Sequence, residues 1–409
     1  MKSGLKQTSI LSLLLMAQFT LLQPALLAAE VDDSRENEND ISLAGVLKSF
    51  NQAYFKRSDS AQFLSENNYR FLFKKNWDES SSLHIHYALF AIAHGKGLAF
   101  QQSTQWTKSR YRLVDLNPRI APKSDSTNAT LLLNQNLDRL FYQNAFDSMT
   151  LTLGRQPISL GTSTLISPND FLQTFNYTSI DRDYRPGIDA VRAEINLGEE
   201  SLLDMAAIAG KDFERTESAA YLHFQSPLFE EYLHLYVANF RRANLIGASF
   251  VASLLGVGVS LEGAQVWPGK QGTDNSQSPY FRSTIGLTAI PHSDLTVAIE
   301  VHTNEAGTDS PSEYGSLFSK FAYTDGGLFL LGRSYFSASI SWSAHPLLSI
   351  GISDTINRGD ESQLVSTSIE YNPFEDIVLS LSFLNGFGQS SSEFNTDRSR
   401  LTLGLKAYF

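Results

Sequence analysis

The chain has 409 residues, of which 42% are hydrophobic and 18% charged, a formal net charge of −11 and no cysteine. The lack of cysteine excludes a disulfide scaffold, cysteine-ligated zinc, an iron–sulfur cluster and a thiol nucleophile. The acidic balance argues against a nucleic-acid partner. Beyond the N-terminus, one uncharged stretch reaches the roughly 20 residues that a membrane-spanning helix needs, which argues against a polytopic helical protein.

Residues 1–29 have the pattern of a secretory signal peptide. Two lysines are followed by an apolar segment over residues 10–27, and Ala28 and Ala29 precede an acidic run. This order is typical of an export signal, and we predict cleavage after Ala29. A retained membrane anchor is the alternative, because Leu27 is large for a residue three positions before a cleavage site. Cleavage would remove the two lysines and no acid, which changes the net charge from −11 to −13.

Residues 30–66 are predicted to be an N-terminal segment separate from the domain over residues 67–409. The run over residues 30–40 is charged and poor in apolar residues, which is typical of disordered chain. Apolar residues then recur with helical spacing, which predicts a short amphipathic helix. These residues are Ile41, Ala44, Leu47, Phe50 and Tyr54.

The domain over residues 67–409 consists of segments in which apolar and polar residues alternate. Clusters of Gly, Asn, Asp, Ser and Pro separate these segments. Alternation with a period of two is typical of a strand with one apolar face. A clear example sets Leu295, Val297, Ile299 and Val301 against Thr296, Ala298, Glu300 and His302.

The long uncharged run over residues 243–261 is predicted to form two strands. It contains three glycines, and its alternation changes phase after Leu255. A tight turn at Leu255 and Gly256 would account for the change of phase. A transmembrane helix, which has only the length of the run in its favour, is the alternative.

Connections between the predicted strands alternate between two sizes. Short connections such as residues 198–200, 291–293 and 345–346 alternate with long polar ones such as 156–186 and 304–332. Short turns on one rim and long loops on the other are typical of a transmembrane barrel. We therefore predict an all-β fold, a transmembrane antiparallel β-barrel of about 18 strands, within the range 16–18. A secreted β-sandwich or β-helix is the alternative.

The C-terminal strand points to the outer membrane. Its alternating pattern ends at Phe409, and it resembles the C-terminal targeting strand of Gram-negative outer-membrane barrels. That family usually has an aromatic residue where this chain has Ala407. The resemblance implies insertion by the barrel-assembly machinery, with outer-membrane lipid as a further partner. Residues 30–66 would then lie in the periplasm or plug the lumen. One face of this strand carries Leu401, Leu403, Leu405, Ala407 and Phe409.

In a barrel, the phase of the alternation decides which residues face the lumen. The interior-phase residues carry more positive than negative charge, and such a lining would raise the local concentration of anions. The alternative is that the arginines pair with loop carboxylates and only fill the lumen. The predicted pore-lining residues are Lys108, Arg110, Arg112, Arg192, Glu194, Arg282, Glu300, Arg333, Arg400 and Lys406.

Residues 154–189 carry the most specific motif, which begins with Gly-Arg-Gln and ends with Asp-Tyr-Arg-Pro-Gly-Ile-Asp. This segment resembles part of the alginate-export-like and porin-like outer-membrane barrels. Those proteins often have Trp where this chain has Leu160. The resemblance implies the barrel fold and leaves the solute open. The matching residues are Gly154, Arg155, Gln156, Gly161, Pro168, Asp170, Ile180, Asp181, Tyr184, Arg185, Pro186, Gly187 and Asp189.

The same segment is too long for a hairpin turn and carries charges of both signs. We predict that it folds into the lumen and narrows it, with arginines paired to aspartates. A solvated surface loop is the alternative, and residues 304–332 are a second candidate constriction. The predicted constriction residues are Arg155, Asp170, Asp181, Asp183, Arg185 and Asp189.

Catalysis has little support in the sequence. His84 and His86 share a strand face, and His223 and His234 are both interior-phase on neighbouring strands. No third metal ligand stands at a diagnostic spacing, and serine is too abundant to indicate a nucleophile. We therefore predict that the chain is not an enzyme and holds no metal and no cofactor.

The function that these patterns predict is a porin-like outer-membrane channel for passive passage of small anionic or carbohydrate solutes. The first alternative is an export conduit for an anionic exopolysaccharide of the alginate type, which the resemblance suggests. The second is a closed barrel that acts as a surface adhesin or structural protein, in which the lumen charges would be filler.

Overall fold

The structure is a computed structural model, and all statements below refer to the residues that it describes. These are residues 41–56, 61–94, 111–122, 130–163, 166–172, 179–181, 183–198, 200–229, 231–269, 278–395 and 398–409. The predicted signal peptide and the charged run over residues 30–40 lie outside the described residues.

The described chain forms one closed antiparallel β-barrel. Each long strand pairs with the next along the chain, and the last strand pairs with the first. The short strand β4 pairs only with β5, so the ring contains 18 strands and the predicted fold class is confirmed. The strands are β1 Ile41–Lys56, β2 Gln62–Asn76, β3 Ser81–His94, β4 Arg119–Ala121, β5 Leu131–Ala145, β6 Met149–Gln156, β7 Ile188–Asn196, β8 Leu202–Ile208, β9 Ala219–Leu228, β10 Glu231–Phe240, β11 Ala243–Leu254, β12 Val257–Pro268, β13 Tyr280–His292, β14 Leu295–Asn304, β15 Ser334–His345, β16 Leu348–Asn357, β17 Gln363–Phe374, β18 Ile377–Phe387 and β19 Arg398–Tyr408.

Helical structure in the described residues is confined to short loop segments. Two 3-10 turns cover Lys211–Phe213 and Pro311–Glu313. Two single-turn helices follow, α1 over Tyr314–Leu317 and α2 over Phe321–Thr324. Among the described residues, no helix has the length and apolar character needed to cross a bilayer.

The helix predicted from Ile41 onward is wrong, because these residues form β1. β1 pairs with β2 on one side and with β19 on the other, so the barrel starts at residue 41 and the predicted boundary at residue 67 is also wrong. The ring is closed beside the C-terminus, where the Gly45 amide donates to the Phe409 carbonyl. Backbone pairing on both edges outweighs a weak helical spacing of apolar residues, since an unpaired edge is costly in a membrane.

The uncharged run after residue 243 forms a hairpin, as predicted. β11 ends at Leu254 and β12 begins at Val257. The two turn residues both have positive φ, 53° for Leu255 and 80° for Gly256. Positive φ at both positions is the property of the turn that matches the twist of two-residue hairpins.

The two faces of the wall differ as the alternation predicts. On β18, Leu379, Leu381 and Phe383 are exposed on the outer surface, and Ser380 and Ser382 belong to the opposite, interior-facing series. The interior series is identified by its contacts with loops that enter the barrel, such as that of Glu262 on β12. An apolar outer belt around a polar interior is the pattern of a transmembrane barrel.

The two rims also differ. Eight connections on one rim are short turns, from residues 77–80 to residues 375–376. The other rim carries the long connections, which include residues 157–187, 305–333 and 388–397. Shorter connections also lie on that rim, such as Arg241 and Arg242 between β10 and β11 and residues 358–362 between β16 and β17.

Candidate solute pathway through the barrel

The loop over residues 157–187 folds into the barrel and is held by a carboxylate of the opposite wall. Glu262 on the interior of β12 accepts hydrogen bonds from the amides of Ser163 and Asn169, both at 2.8 Å, and from the Ser167 hydroxyl at 2.6 Å. Gly161 sits at this contact with φ of 91°, and a side chain there would strike Ser167 and Glu262. The Glu262 carboxylate thus binds several residues of the loop at one point of the wall.

The second half of the same loop is held on the other side of the ring. Lys48 on β1 donates to Asp181 at 2.8 Å and to Asp183 at 3.3 Å. Lys406 on β19 donates to Asp183 at 2.5 Å. Burial acts to raise the pKa of Asp183, but the hydrogen bond from Lys406 and the charge of Lys48 leave that pKa below its ordinary value.

Tyr184 adds a packed contact to this second half. Its ring lies between two guanidinium groups, with the Arg70 carbon at 3.4 Å and the Arg139 carbon at 4.2 Å from the ring centroid. Its hydroxyl forms a hydrogen bond with Nδ1 of His86 at 2.9 Å. Because guanidinium groups stack well on aromatic faces, this arrangement fixes the loop against β2, β3 and β5.

The predicted constriction residues form two kinds of pairs. Arg185 pairs with Asp170 at 2.5 Å, which joins the two halves of the loop. Arg155 pairs with Asp189 at 2.7 Å, but this pair links β6 to β7 in the barrel wall. Asp181 and Asp183 bind the strand lysines Lys48 and Lys406. The loop is therefore held from the wall as well as from within.

Carboxylates pair with three of the predicted pore-lining cations, which are Arg112, Arg192 and Lys406. Arg112, in the segment before β4, pairs with Asp115 at 3.1 Å. Arg192 on β7 pairs with Asp204 at 2.8 Å and with Glu194 at 2.9 Å. Lys406 is held by Asp183, and Lys108 and Arg110 lie outside the described residues. The described cations therefore carry less free charge than their number implied.

The other predicted lining residues lie on β13, β14 and β19 and just before β15. Arg282 on β13 is only 1% exposed, and its guanidinium donates to the Gly326 carbonyl at 3.3 Å. Arg333 donates to the Gly307 carbonyl at 3.2 Å. Glu300 on β14 and Arg400 on β19 belong to the interior-facing series of their strands. Glu300 is buried.

A second loop, residues 305–333, also enters the barrel and packs against the first one. Arg241 pairs with Asp325, and this contact holds α2 at the rim of β10. An apolar core then joins both loops to the interior of the wall between β7 and β13. Its members include Ile158, Leu160 and Phe171 from the first loop, Phe321 and Leu328 from the second, and Tyr221, Tyr236, Phe240 and Tyr280 from the wall.

A third connection, residues 388–397, is tied to the second loop through Glu393. The Tyr335 hydroxyl donates to Glu393 at 2.5 Å, the Leu331 amide at 2.7 Å and the Asn357 amide group at 2.8 Å. Burial raises the pKa of Glu393 to about 7, although these three donors act to lower it.

Several of these contact residues escaped the sequence analysis. Glu262 has the interior phase of its strand, so the alternation could have identified it. Lys48 was hidden by the mistaken helix. Glu393 lies in an irregular loop, and the sequence carries no signal that would place its carboxylate beside Tyr335.

Four of the eight histidines form two pairs. His223 and His234 face each other across β9 and β10, with Nε2 and Nδ1 3.0 Å apart, and both stack with Tyr236. His84 and His86 share the interior face of β3, as predicted. Among the described residues, no group of three or more His, Cys, Asp or Glu side chains is arranged to hold a metal.

Comparison with known proteins identifies the fold. No family model matches the chain, and no curated protein matches it. The crystal structure of Pseudomonas aeruginosa OccK9 (OpdG) has a TM-score of 0.58 at 11% identity, with 90% of this chain and 98% of that chain covered. Acinetobacter baumannii OccAB4 has a TM-score of 0.57 at 8% identity, with 92% and 100% covered. Pseudomonas aeruginosa OpdK, solved with vanillate, has a TM-score of 0.55 at 10% identity, with 90% and 98% covered.

The likeness is one of fold. It extends over nearly the whole length of each neighbour, and OpdK is an outer-membrane protein by its description. Identities of 8% to 11% give no basis for transferring individual binding residues.

Proposed function

We propose that the chain is an outer-membrane channel for small solutes. The observation that carries this proposal is that described residues of the loop over residues 157–187 contact Glu262 on β12 and Lys48 on β1, both inside a closed barrel. A loop held at both sides of a lumen narrows the lumen, and narrowing selects solutes by size and polarity. The apolar outer belt supports location in the outer membrane, with lipid as its surroundings and assembly through the strand that ends at Phe409.

The test is conductance of the purified protein in a planar bilayer across a salt gradient. We expect stable openings, with a unit conductance smaller than that of an unobstructed barrel with 18 strands. The reversal potential measures ion selectivity in the same experiment. Folded protein that never opens would contradict a channel and would favour the closed barrel of an adhesin or structural protein.

A preference for anions is the second part of the proposal. Support comes from Arg282, whose Nε and Nη2 atoms have no hydrogen-bond partner in the described protein. The carboxylates beside Arg112, Arg192 and Lys406 reduce the field that these cations produce. We therefore expect a modest anion preference, and a reversal potential of the cation-selective sign would contradict it.

Export of an anionic polysaccharide is the second candidate function. It rests on the resemblance of residues 154–189 to alginate-export-like barrels. The ion pair between Arg185 and Asp170, which joins the two halves of the loop, favours small solutes over a polymer. Block of the conductance by alginate oligomers of increasing length would test this candidate, since an export conduit should admit the longer ones. Lack of enzymatic activity stays a prediction.

A further inference from the structure

One sector of the interior wall, on β15 to β18, is lined with hydroxyl groups. We call these residues the hydroxyl track. Cross-strand register places them side by side, with Ser339 opposite Ser353, Ser353 opposite Ser366, and Ser368 opposite Ser382. The track consists of Ser337, Ser339, Ser341, Ser349, Ser353, Thr355, Ser366, Ser368, Ser380 and Ser382.

The hydroxyls of the track are available to a solute. Apart from Ser337, its residues are partly or fully exposed, although they face the inside of the ring. In the described protein, the hydroxyl of Ser337 contacts that of Thr355 at 3.0 Å, while those of Ser353, Ser366 and Ser368 have no hydrogen-bond partner. Hydroxyl groups both donate and accept, so these free groups would otherwise be satisfied by water in the lumen.

Small backbone neighbours keep this sector open. Gly351 lies between Ser341 and Ser368 in the register, and Gly404 lies opposite Ser380. An added side-chain carbon at Gly351 would stand 2.7 Å from the Ser368 oxygen. At Gly404 it would strike the Ser380 oxygen. Larger residues would fill the space that the serines now face.

The track is also the neutral sector of the lumen. In the described protein, no ion pair involves a residue of β15 to β18, whereas the interior pairs lie on β1, β2, β5 to β8, β19 and the loops. Glu370, beside the short turns, is the one carboxylate in the interior-facing series of β15 to β18. A solute moving along the track therefore meets dipoles and little net charge.

We propose that the hydroxyl track carries uncharged polyhydroxylated solutes, of the size of a monosaccharide or a sugar alcohol. The inference rests on the proposed channel function and adds the class of solute. Each serine exchanges hydrogen bonds with a sugar hydroxyl at little desolvation cost, because neither group is charged. Many weak, equivalent sites in series allow a solute to enter and to leave, which conduction requires.

The test compares two triple variants in proteoliposomes. Ser353, Ser366 and Ser368 are changed to Ala in the track variant. The matched control changes Ser253, Ser260 and Thr288, which face the interior on β11 to β13, to Ala. Glucose and mannitol are the neutral probes, gluconate is the anionic probe, and potassium chloride conductance is recorded for each protein.

We expect the track variant to slow glucose and mannitol entry about fivefold, since three weak hydrogen bonds are lost. Gluconate entry and salt conductance should stay within about twofold of the unchanged protein, and the control variant should match it with every probe. Ser→Thr changes at the three track positions keep the hydroxyls and should preserve most of the sugar entry.

Other outcomes separate the two proposals. An unchanged protein that conducts no salt would overturn the channel itself. Normal conductance with unaltered sugar entry in the track variant would overturn only the track. Equal losses in the two triple variants, or a larger loss of gluconate than of glucose entry, would also overturn it.

Discussion

Glu262 is the residue on which the first inward loop depends most. Its carboxylate accepts hydrogen bonds from three loop amides, those of Thr162, Ser163 and Asn169. It also accepts from three loop hydroxyls, those of Thr162, Ser163 and Ser167. In E262Q the amide group keeps only one acceptor oxygen. Its NH2 group replaces the second oxygen and would face the loop amides and hydroxyls, which are also donors. Hydrogen bonds to a charged group contribute about 1.5–3 kcal/mol each, so the loop should detach from β12 in a large fraction of molecules.

We expect E262Q to show faster proteolysis within residues 157–187 and a larger, noisier conductance. E370Q is the matched control, because Glu370 faces the interior without a described hydrogen bond to a loop. Proteolysis and conductance equal to those of the unchanged protein would contradict the role of Glu262 as an anchor.

The buried Glu393 carboxyl predicts that the stability of the folded protein depends on pH. Its pKa is raised from 4.5 to about 7, chiefly by burial, so the folded protein holds this proton more tightly than the unfolded chain does. The stabilisation is complete below about pH 4.5 and is lost as the pH rises through 7. At 1.36 kcal/mol for each pKa unit, the loss approaches about 3 kcal/mol.

The measurement is the thermal midpoint of the barrel, or hydrogen exchange at Leu331, between pH 5 and pH 8. We expect stability around the contact of Glu393 with Tyr335 to fall over this range. E393Q stays neutral and should remove most of the dependence. An equal dependence in E393Q would assign the effect to other groups, of which Asp360 is the nearest carboxylate that acts on Glu393.

At the scale of single residues, the sequence predicted which side chains face the interior better than it predicted their ion-pair partners. The interior phase of Arg192, Arg282 and Lys406 follows from strict alternation, because a strand has a period of two. The partner of Arg192 is Asp204 on the adjacent strand, which register explains once the pairing is known. The partner of Lys406 is a loop residue, Asp183, and local pattern carries no information on the path of a long loop.

Among the elements, the loop over residues 157–187 places two carboxylates against lysines of the barrel wall. Asp181 and Asp183 neutralise Lys48 and Lys406, which lie on neighbouring strands. In a D181N/D183N variant, the loop loses its ion pairs to the wall and the two lysines keep their charge. We expect a larger unit conductance and a reversal potential shifted toward anion selectivity, both measured in planar bilayers.

An exposed carboxylate in the short turn near Lys406 gives the control for that experiment. Asp376 lies in the short turn before β18 and is exposed, so D376N removes a carboxylate without releasing a loop. Salt dependence adds a check, since a selectivity shift caused by freed charge should shrink at high ionic strength. A shift in D376N as large as that in D181N/D183N would contradict control by the loop.

Prediction of the elements succeeded where two signals agreed and failed where one was ambiguous. The hairpin at Leu255 was found because a change of phase coincided with a glycine. β1 was missed because Ile41, Ala44 and Leu47 fit a helical spacing, and nothing within the segment shows that β2 and β19 complete its hydrogen bonds. The apolar core between the two inward loops was missed because its members are far apart in sequence.

At the scale of the whole molecule, closure of the ring decides whether the barrel exists. Eighteen strands place both ends of the chain on one rim, and β1 joins β19 through a continuous register from Val46 to Lys56. Without β1, the edges of β2 and β19 would expose unpaired amides and carbonyls to lipid, which costs several kcal/mol for each group.

Deletion of residues 41–56 tests this requirement directly. We expect the shortened protein to fail to insert, with no compact band in unheated gels and no conductance, whereas deletion of residues 30–40 should leave both properties intact. The two deletions distinguish the boundary at residue 41 from one at residue 67, because a plugging segment could be removed without loss of the barrel. A conducting protein without residues 41–56 would show that 17 strands can close. It would then favour residues 30–66 as a segment separate from the barrel.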